Sequence, residues 1–271
     1  MKQRILTALI LAPLAIAAVL WLPTSAFLVI ATALLLLGLW EWTRLIGFEG
    51  HARRAIVLLA HAALFAWLAW RGWPGIFPWI ALLGALWWCA AAVWLRRMQF
   101  GSEPSPANRY AKLAIGSLLV VPAWCAIALL HSDGPLGPGW ALFALLLVWS
   151  ADSGAWLVGS RVGGPKLAPT ISPGKTWAGF WGGLGAVVLV ATVAVPIFGL
   201  GWAQAPALIA ASVLTGLASV VGDLFESIIK RHAGAKDSGY LVPGHGGVLD
   251  RIDSVVAALP VFFVAKEGLG L

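Results

Sequence analysis

Residues 111–131 read AKLAIGSLLVVPAWCAIALLH, and the fold is decided by what such a run can be. As a helix rising 1.5 Å per residue, 21 residues extend about 30 Å, the thickness of a bilayer's hydrocarbon core. Lys112 is its one Lys, Arg, Asp or Glu, and Pro122 is tolerated where neighbouring helices can satisfy the freed carbonyl. Runs of the same kind occur on both sides, at roughly 5–22, 25–46, 55–71, 74–95, 138–159, 177–200, 203–229 and 252–269, which makes nine. The expectation is an all-α polytopic transmembrane bundle of about nine spans with polar loops on one side. Composition agrees: 61% of the 271 residues are apolar and 11% charged, with a mean hydropathy of +0.90. A soluble surface needs roughly 25% charged residues, so soluble, disordered and collagen-like classes are excluded. Long apolar runs also exclude an outer-membrane barrel, whose strands alternate. The 17 Trp and 31 Gly suit aromatic belts and close helix contacts. Cys89 and Cys125 lie inside apolar runs and form no disulfide framework.

The net charge of +7 is explained by topology, and no nucleic-acid partner is expected. When connections alternate across the membrane, one side receives 16 of the 18 Lys and Arg; the other receives Arg71 and Lys266. The positive-inside rule then places the N-terminus and four long loops in the cytoplasm. The start, MKQR before an apolar run, resembles a secretory signal, but the run is long and no clear A-x-A site follows, so it is read as the first span. Residues 1–109 are read as an N-terminal membrane scaffold of about four spans, and 110–271 as the catalytic region of about five. Within the scaffold, Glu41 between Trp40 and Trp42 is read as an interfacial anchor.

From residue 149 onward, polar residues, glycines and prolines crowd into three regions on the basic side. The first runs from Val148 to Gly179. Asp152 lies inside a span, where a carboxylate needs a partner, a cation or a wet cavity. The loop after it carries Gly163, Gly164, Lys166, Ser172, Gly174, Lys175 and Thr176 ahead of a helix start, a combination suited to phosphate. The G-x-x-x-x-G-K-S/T spacing of a P-loop is absent, and a basic loop of ordinary turn residues is the competing reading. In the second region, Gly222 to Arg231, the spacing puts Asp223, Glu226, Ser227 and Lys230 on one helical face. Like charges there call for a divalent cation, Mg²⁺ or Mn²⁺ by the hardness of their oxygens, or for an ion pair to Lys230 within the helix. In the third, from His232 to Ser254, His245 sits among glycines and Asp250, Arg251 and Asp253 open the last span. Carboxylates for a metal, with Lys, Arg and glycine backbone for phosphates, describe a nucleotide site at a membrane surface. No strong protein nucleophile stands out, and transfer at phosphorus needs none.

The stretch Ser227-Ile-Ile-Lys230-Arg231, Lys236-Asp237, Pro243-Gly-His245-Gly-Gly-Val-Leu-Asp250-Arg251-Ile-Asp253 resembles the signature of the phosphatidate cytidylyltransferase (CDP-diacylglycerol synthase) family. Ala151-Asp152-Ser-Gly-Ala, Ser172-Pro-Gly-Lys175-Thr-Trp and Gly222-Asp223-Leu-Phe-Glu226-Ser227 resemble it too, so the likeness covers roughly 110–271. The resemblance implies a multi-pass enzyme of the bacterial cytoplasmic (inner) membrane. It would join CTP to phosphatidate in the bilayer, with Mg²⁺, giving CDP-diacylglycerol and pyrophosphate at the cytoplasmic face. It further implies Asp223 and Asp250, with Glu226, as metal ligands. Lys166, Ser172, Lys175, Lys230, Arg231, Lys236, Gly246, Gly247 and Arg251 would bind substrate, and Asp152, His245 and Asp253 would complete the site. Subunit number stays open, a homodimer included. Two other classes compete. A secondary transporter for an organic anion would place its charges near the midplane in both halves of the chain, whereas these cluster at one end. A CTP-dependent polyprenol kinase would also bring a nucleotide to a lipid head group.

Overall fold

The computed structural model describes residues 2–72, 75–241 and 246–271. Nine α-helices occur among them: α1 Lys2–Trp21, α2 Thr24–Leu45, α3 His51–Arg71, α4 Phe77–Trp94, α5 Pro106–His131, α6 Gly137–Val162, α7 Trp177–Ile197, α8 Ala205–His232 and α9 Leu249–Gly268. Each matches one apolar run of the sequence within a few residues. Among the described residues, seven helices are long and apolar enough to cross a membrane; α1 adds the shorter apolar stretch Leu11–Trp21, and α9 is set apart by Asp250, Arg251, Asp253, Lys266 and Glu267. The segment read as a glycine-rich loop is instead a small antiparallel hairpin, β1 Lys166–Ala168 with β2 Ser172–Thr176. Helix starts follow local chemistry. Ser105 Oγ accepts from Asn108 N at 3.2 Å ahead of Pro106, and Thr176 Oγ1 accepts from Gly179 N at 3.1 Å, so each cap satisfies an otherwise orphaned amide.

The helices run up and down, and their side-chain contacts distinguish the two ends. At one end the α2 start meets the α5 end through Thr24 and His131, 2.9 Å apart, and Lys266 of α9 pairs with Asp133 at 2.8 Å. At the opposite end Arg54 of α3 lies 3.7 Å over the Trp40 ring, His232 of α8 meets Met98 O at 2.6 Å, and Arg231 donates to Ile171 O at 3.3 Å. Helix by helix, 16 of the 18 Lys and Arg fall at this second end, with the hairpin and the link between α8 and α9.

Packing is closest where side chains are smallest, because lipid tails supply little hydrophobic drive between helices and backbone approach must replace it. Between α6 and α7, a Cβ at Gly154 would stand 2.8 Å from Gly182 O, and one at Gly183 2.7 Å from Ala151 O. Between α8 and α9, a Cβ at Gly222 would stand 2.5 Å from Asp253 O and 2.8 Å from Ala257 Cβ. Trp42, Trp124, Phe225 and Phe262 fill the centre, all under 2% exposed. These contacts place the carboxylates of α6, α8 and α9 at one end of the bundle.

Candidate active site

Two polar clusters share the basic end, joined through α8. The first surrounds a cavity of about 340 Å³ between α6, the hairpin, α7 and α8. Asp152, Lys175, Thr176 and Asp223 line it beside Trp156, Phe180, Leu184 and Val220. Lys175 Nζ lies 2.6 Å from Asp223 Oδ2, and Ser227 Oγ reaches Asp223 Oδ1 at 3.4 Å. The ammonium comes from the end of β2 and the carboxylate from α8, so the hairpin, rather than a flexible loop, delivers the cation. Asp152 sits one helix away, within electrostatic reach of Asp223, Lys175 and Arg251. The cavity thus carries both charged and apolar side chains in its lining.

The second cluster lies between α8 and α9. Lys230 Nζ bridges Glu226 Oε2 at 2.8 Å and Asp250 Oδ1 at 2.7 Å, with all three side chains at most 12% exposed. The intrahelical pair anticipated from the spacing therefore exists, and the lysine holds a second acid as well. Asp250 also accepts from Ser238 N at 2.9 Å and Gly247 N at 2.8 Å. Asp253 accepts from Ser254 N at 2.6 Å, and its carboxyl lies within hydrogen-bonding reach of Glu226. Glu226 Oε1 is buried without a hydrogen-bond partner. With the Asp253 carboxyl beside it, this spot holds two buried acids, a repulsion that a proton shared between them or a cation relieves.

Other expected residues fall around these clusters. Lys166, Lys236 and Arg251 are exposed at the same end, Ser172 is half-buried at the start of β2, and Gly247 is buried. Gly246 takes φ +81°, a conformation suited to glycine, and a Cβ there would meet Asp250 Oδ2 at 2.6 Å. Arg231 spends its guanidinium on backbone, donating to Ile171 O and Ala235 O at 3.3 Å each, so it buttresses the hairpin turn. His245 lies outside the described residues. Among the described residues, no group of three or more His, Cys, Asp or Glu forms a metal cage unaided.

Glu41 requires a correction. Instead of standing at the surface as an interfacial anchor it is 3% exposed, and its carboxylate is taken up by the link between α8 and α9. The signal was present in the sequence: a lone acid inside an apolar run needs a partner, as was argued for Asp152. Its partners lie some 200 residues away, beyond the reach of spacing.

Residues 2–267 match the Cytidylyltransferase family. The chain is 42% identical to the phosphatidate cytidylyltransferase of Pseudomonas aeruginosa over 264 residues, which is 97% of this chain and 95% of that protein. It is 33% identical to the Haemophilus influenzae protein of the same name over 279 residues, covering 97% of each. The Brucella suis protein of that name is 37% identical over 275 residues, covering 97% of this chain and 92% of its own length.

Proposed function

The chain belongs to the cytidylyltransferase family, and from that premise we propose that it transfers CMP from CTP to phosphatidate, giving CDP-diacylglycerol and pyrophosphate. A phosphate oxygen of phosphatidate attacks the α-phosphorus of CTP. The bond from that phosphorus to the α–β bridging oxygen breaks, and pyrophosphate leaves. The observation that carries this reading is a cavity lined by the Lys175–Asp223 contact together with apolar side chains, with a second lysine–carboxylate cluster, Lys230 with Asp250 and Glu226, on the same end of α8. Ammonium groups resting on carboxylates are ones that phosphates can compete for. The apolar lining residues Trp156, Phe180 and Leu184 suit the glycerol and acyl carbons of a lipid whose tails stay in the leaflet.

Asp223 and Asp250, with Glu226, are the residues that would hold Mg²⁺, with Mn²⁺ as an alternative. Their hard oxygens suit it, and a cation there would relieve the repulsion between the neighbouring Glu226 and Asp253 carboxyls. When bound, the metal neutralises charge on the phosphate oxygens and on the departing pyrophosphate. Lys175, Lys230 and Arg251 would orient the phosphates, with Lys166, Ser172 and Lys236 at the rim, while Asp152 would hold Lys175 and Arg251 by charge and Asp253 would complete the acid pair with Glu226. By the 16-to-2 charge split, this end faces the cytoplasm of a bacterial inner membrane, where CTP is available.

Incubation of the purified protein with phosphatidate and CTP labelled at either the α- or the γ-phosphate tests the reaction. Cytidylyl transfer leaves the α-label on lipid and releases the γ-label as pyrophosphate. A γ-label on lipid would make the chain a kinase, and no labelled lipid at all would exclude both chemistries.

A further inference from the structure

The carboxylate of Glu41 belongs to α2, far in sequence from every residue placed at the phosphates, yet it anchors residues of the link between α8 and α9 next to them. Its Oε2 accepts from Ser238 Oγ at 2.9 Å and from Leu249 N at 2.8 Å, and its Oε1 accepts from Val248 N at 3.1 Å. Val248 and Leu249 stand at the start of α9, where backbone amides have no partner within the helix and an anion is favoured by the helix dipole. Ser238, which is 0% exposed, donates its hydroxyl proton to Glu41 and accepts from Asp250 N at 3.3 Å. Arg44, one turn further along α2, donates to Ser238 O at 2.7 Å. A Cβ at Gly239 or Gly247 would collide with the carboxyl oxygens of Glu41, so both glycines leave the space it occupies.

Glu41 therefore ties Ser238 to Val248 and Leu249 at one point. Beside these anchors Asp250 accepts from the amides of Ser238 and Gly247, and Asp250 in turn holds Lys230. We propose that Glu41 is a positioning residue for the transfer reaction: a side chain from the first half of the chain whose two acceptor oxygens set Asp250, and through it Lys230, at the reacting phosphates. This rests on the reading that Lys230 and Asp250 serve those phosphates. A carboxylate is suited to the place because it offers only acceptors to three converging donors. Glutamine, of the same shape, would turn an N–H₂ toward one of them.

Steady-state kinetics of Glu41→Gln and Glu41→Asp, with CTP and phosphatidate varied separately, test it. The Glu41→Gln enzyme should lose at least ~30-fold in kcat while its KM for phosphatidate stays within about threefold and its thermal midpoint in detergent stays within a few degrees, because misplacement rather than unfolding is the defect. Glu41→Asp, which keeps the charge, should return to within ~10-fold of wild type. Wild-type kcat for Glu41→Gln would overturn the proposal. So would losses in both variants that merely track the fraction of folded protein. A second arm does not depend on removing the charge. Gly239→Ala should be crippled by its clash with Glu41, and the shorter acid of the Glu41→Asp/Gly239→Ala double variant should restore at least ~10-fold of its activity. No restoration would also overturn the proposal. The labelled-CTP assay on wild-type enzyme reads the reaction itself, so failure of that reading is distinguishable from failure of this one.

Discussion

Lys230 is the residue on which most charge depends, since it stands between Glu226 and Asp250 in a setting almost closed to solvent. Removing one partner of a buried pair costs about 3–5 kcal/mol, because the charge left behind has no water to replace it. Lys230→Met should accordingly lower stability by about that amount and abolish transfer; a thermal midpoint equal to wild type would mean that the two acids do not need it. Asp223→Asn and Asp250→Asn should each eliminate turnover while the protein still folds in detergent, and near-normal kcat in either would remove that residue from the essential set. Arg251 separates phosphate binding from topology. Arg251→Lys keeps the charge that orients the chain but exchanges a planar fork for a point charge, so kcat/KM should fall at least ~10-fold. Lys175→Arg should fall somewhat less, and Arg53→Lys, on the exposed start of α3, should be neutral. Wild-type kinetics for Arg251→Lys would return it to a purely topological role.

The decisive contacts between elements are made by residues with almost no side chain. Gly222 lets α8 approach α9 until a Cβ would sit 2.5 Å from Asp253 O. Gly222→Val must therefore push the helices apart. Overpacking of this kind costs typically ~1–3 kcal/mol, and here it also moves Asp253 away from Glu226. The expected outcome is a thermal midpoint lowered by several degrees in detergent together with a kcat loss larger than the lost folded fraction explains. An enzyme with unchanged kcat would show that the α8–α9 spacing is not what sets the acids. The hairpin works in the other direction. It adds little core, but its second strand carries Lys175 to Asp223 and its turn is held by Arg231, so a short strand does the placing that a floppy loop could not.

For the molecule as a whole, the two ends are chemically unlike. Most cations and the carboxylate clusters gather at one end, while the other has Lys266 buried against Asp133 and Glu267 and lying 5.1 Å over the Trp140 ring. Neutralised in this way, Lys266 adds little exposed positive charge on its side, which sharpens the asymmetry that sets orientation. Single cysteines placed at positions 97, 166 and 236, in a chain lacking Cys89 and Cys125, should be shielded from an impermeant thiol reagent in intact cells, while one at position 133 should react. Labelling at 236 with protection at 133 would invert the protein in the membrane and remove CTP from its site.

The sequence by itself determined the helical class, the approximate bounds of all nine helices, the charge asymmetry and the family likeness, because each depends on local composition or on spacing along one run. Asp223, Glu226 and Lys230 were legible as one face because helical periodicity is a local rule. Only the tertiary structure decided that Lys230 also holds Asp250, that Lys175 rides on a strand, and that Arg231 braces the hairpin instead of standing free. It also decided the place of Glu41. That carboxylate reads as a membrane anchor from its neighbours Trp40 and Trp42, yet its partners are amides and a hydroxyl near residue 240. No periodicity connects two segments brought together by the packing of separate helices, so which distant donors satisfy a buried acid is known only once the bundle is assembled.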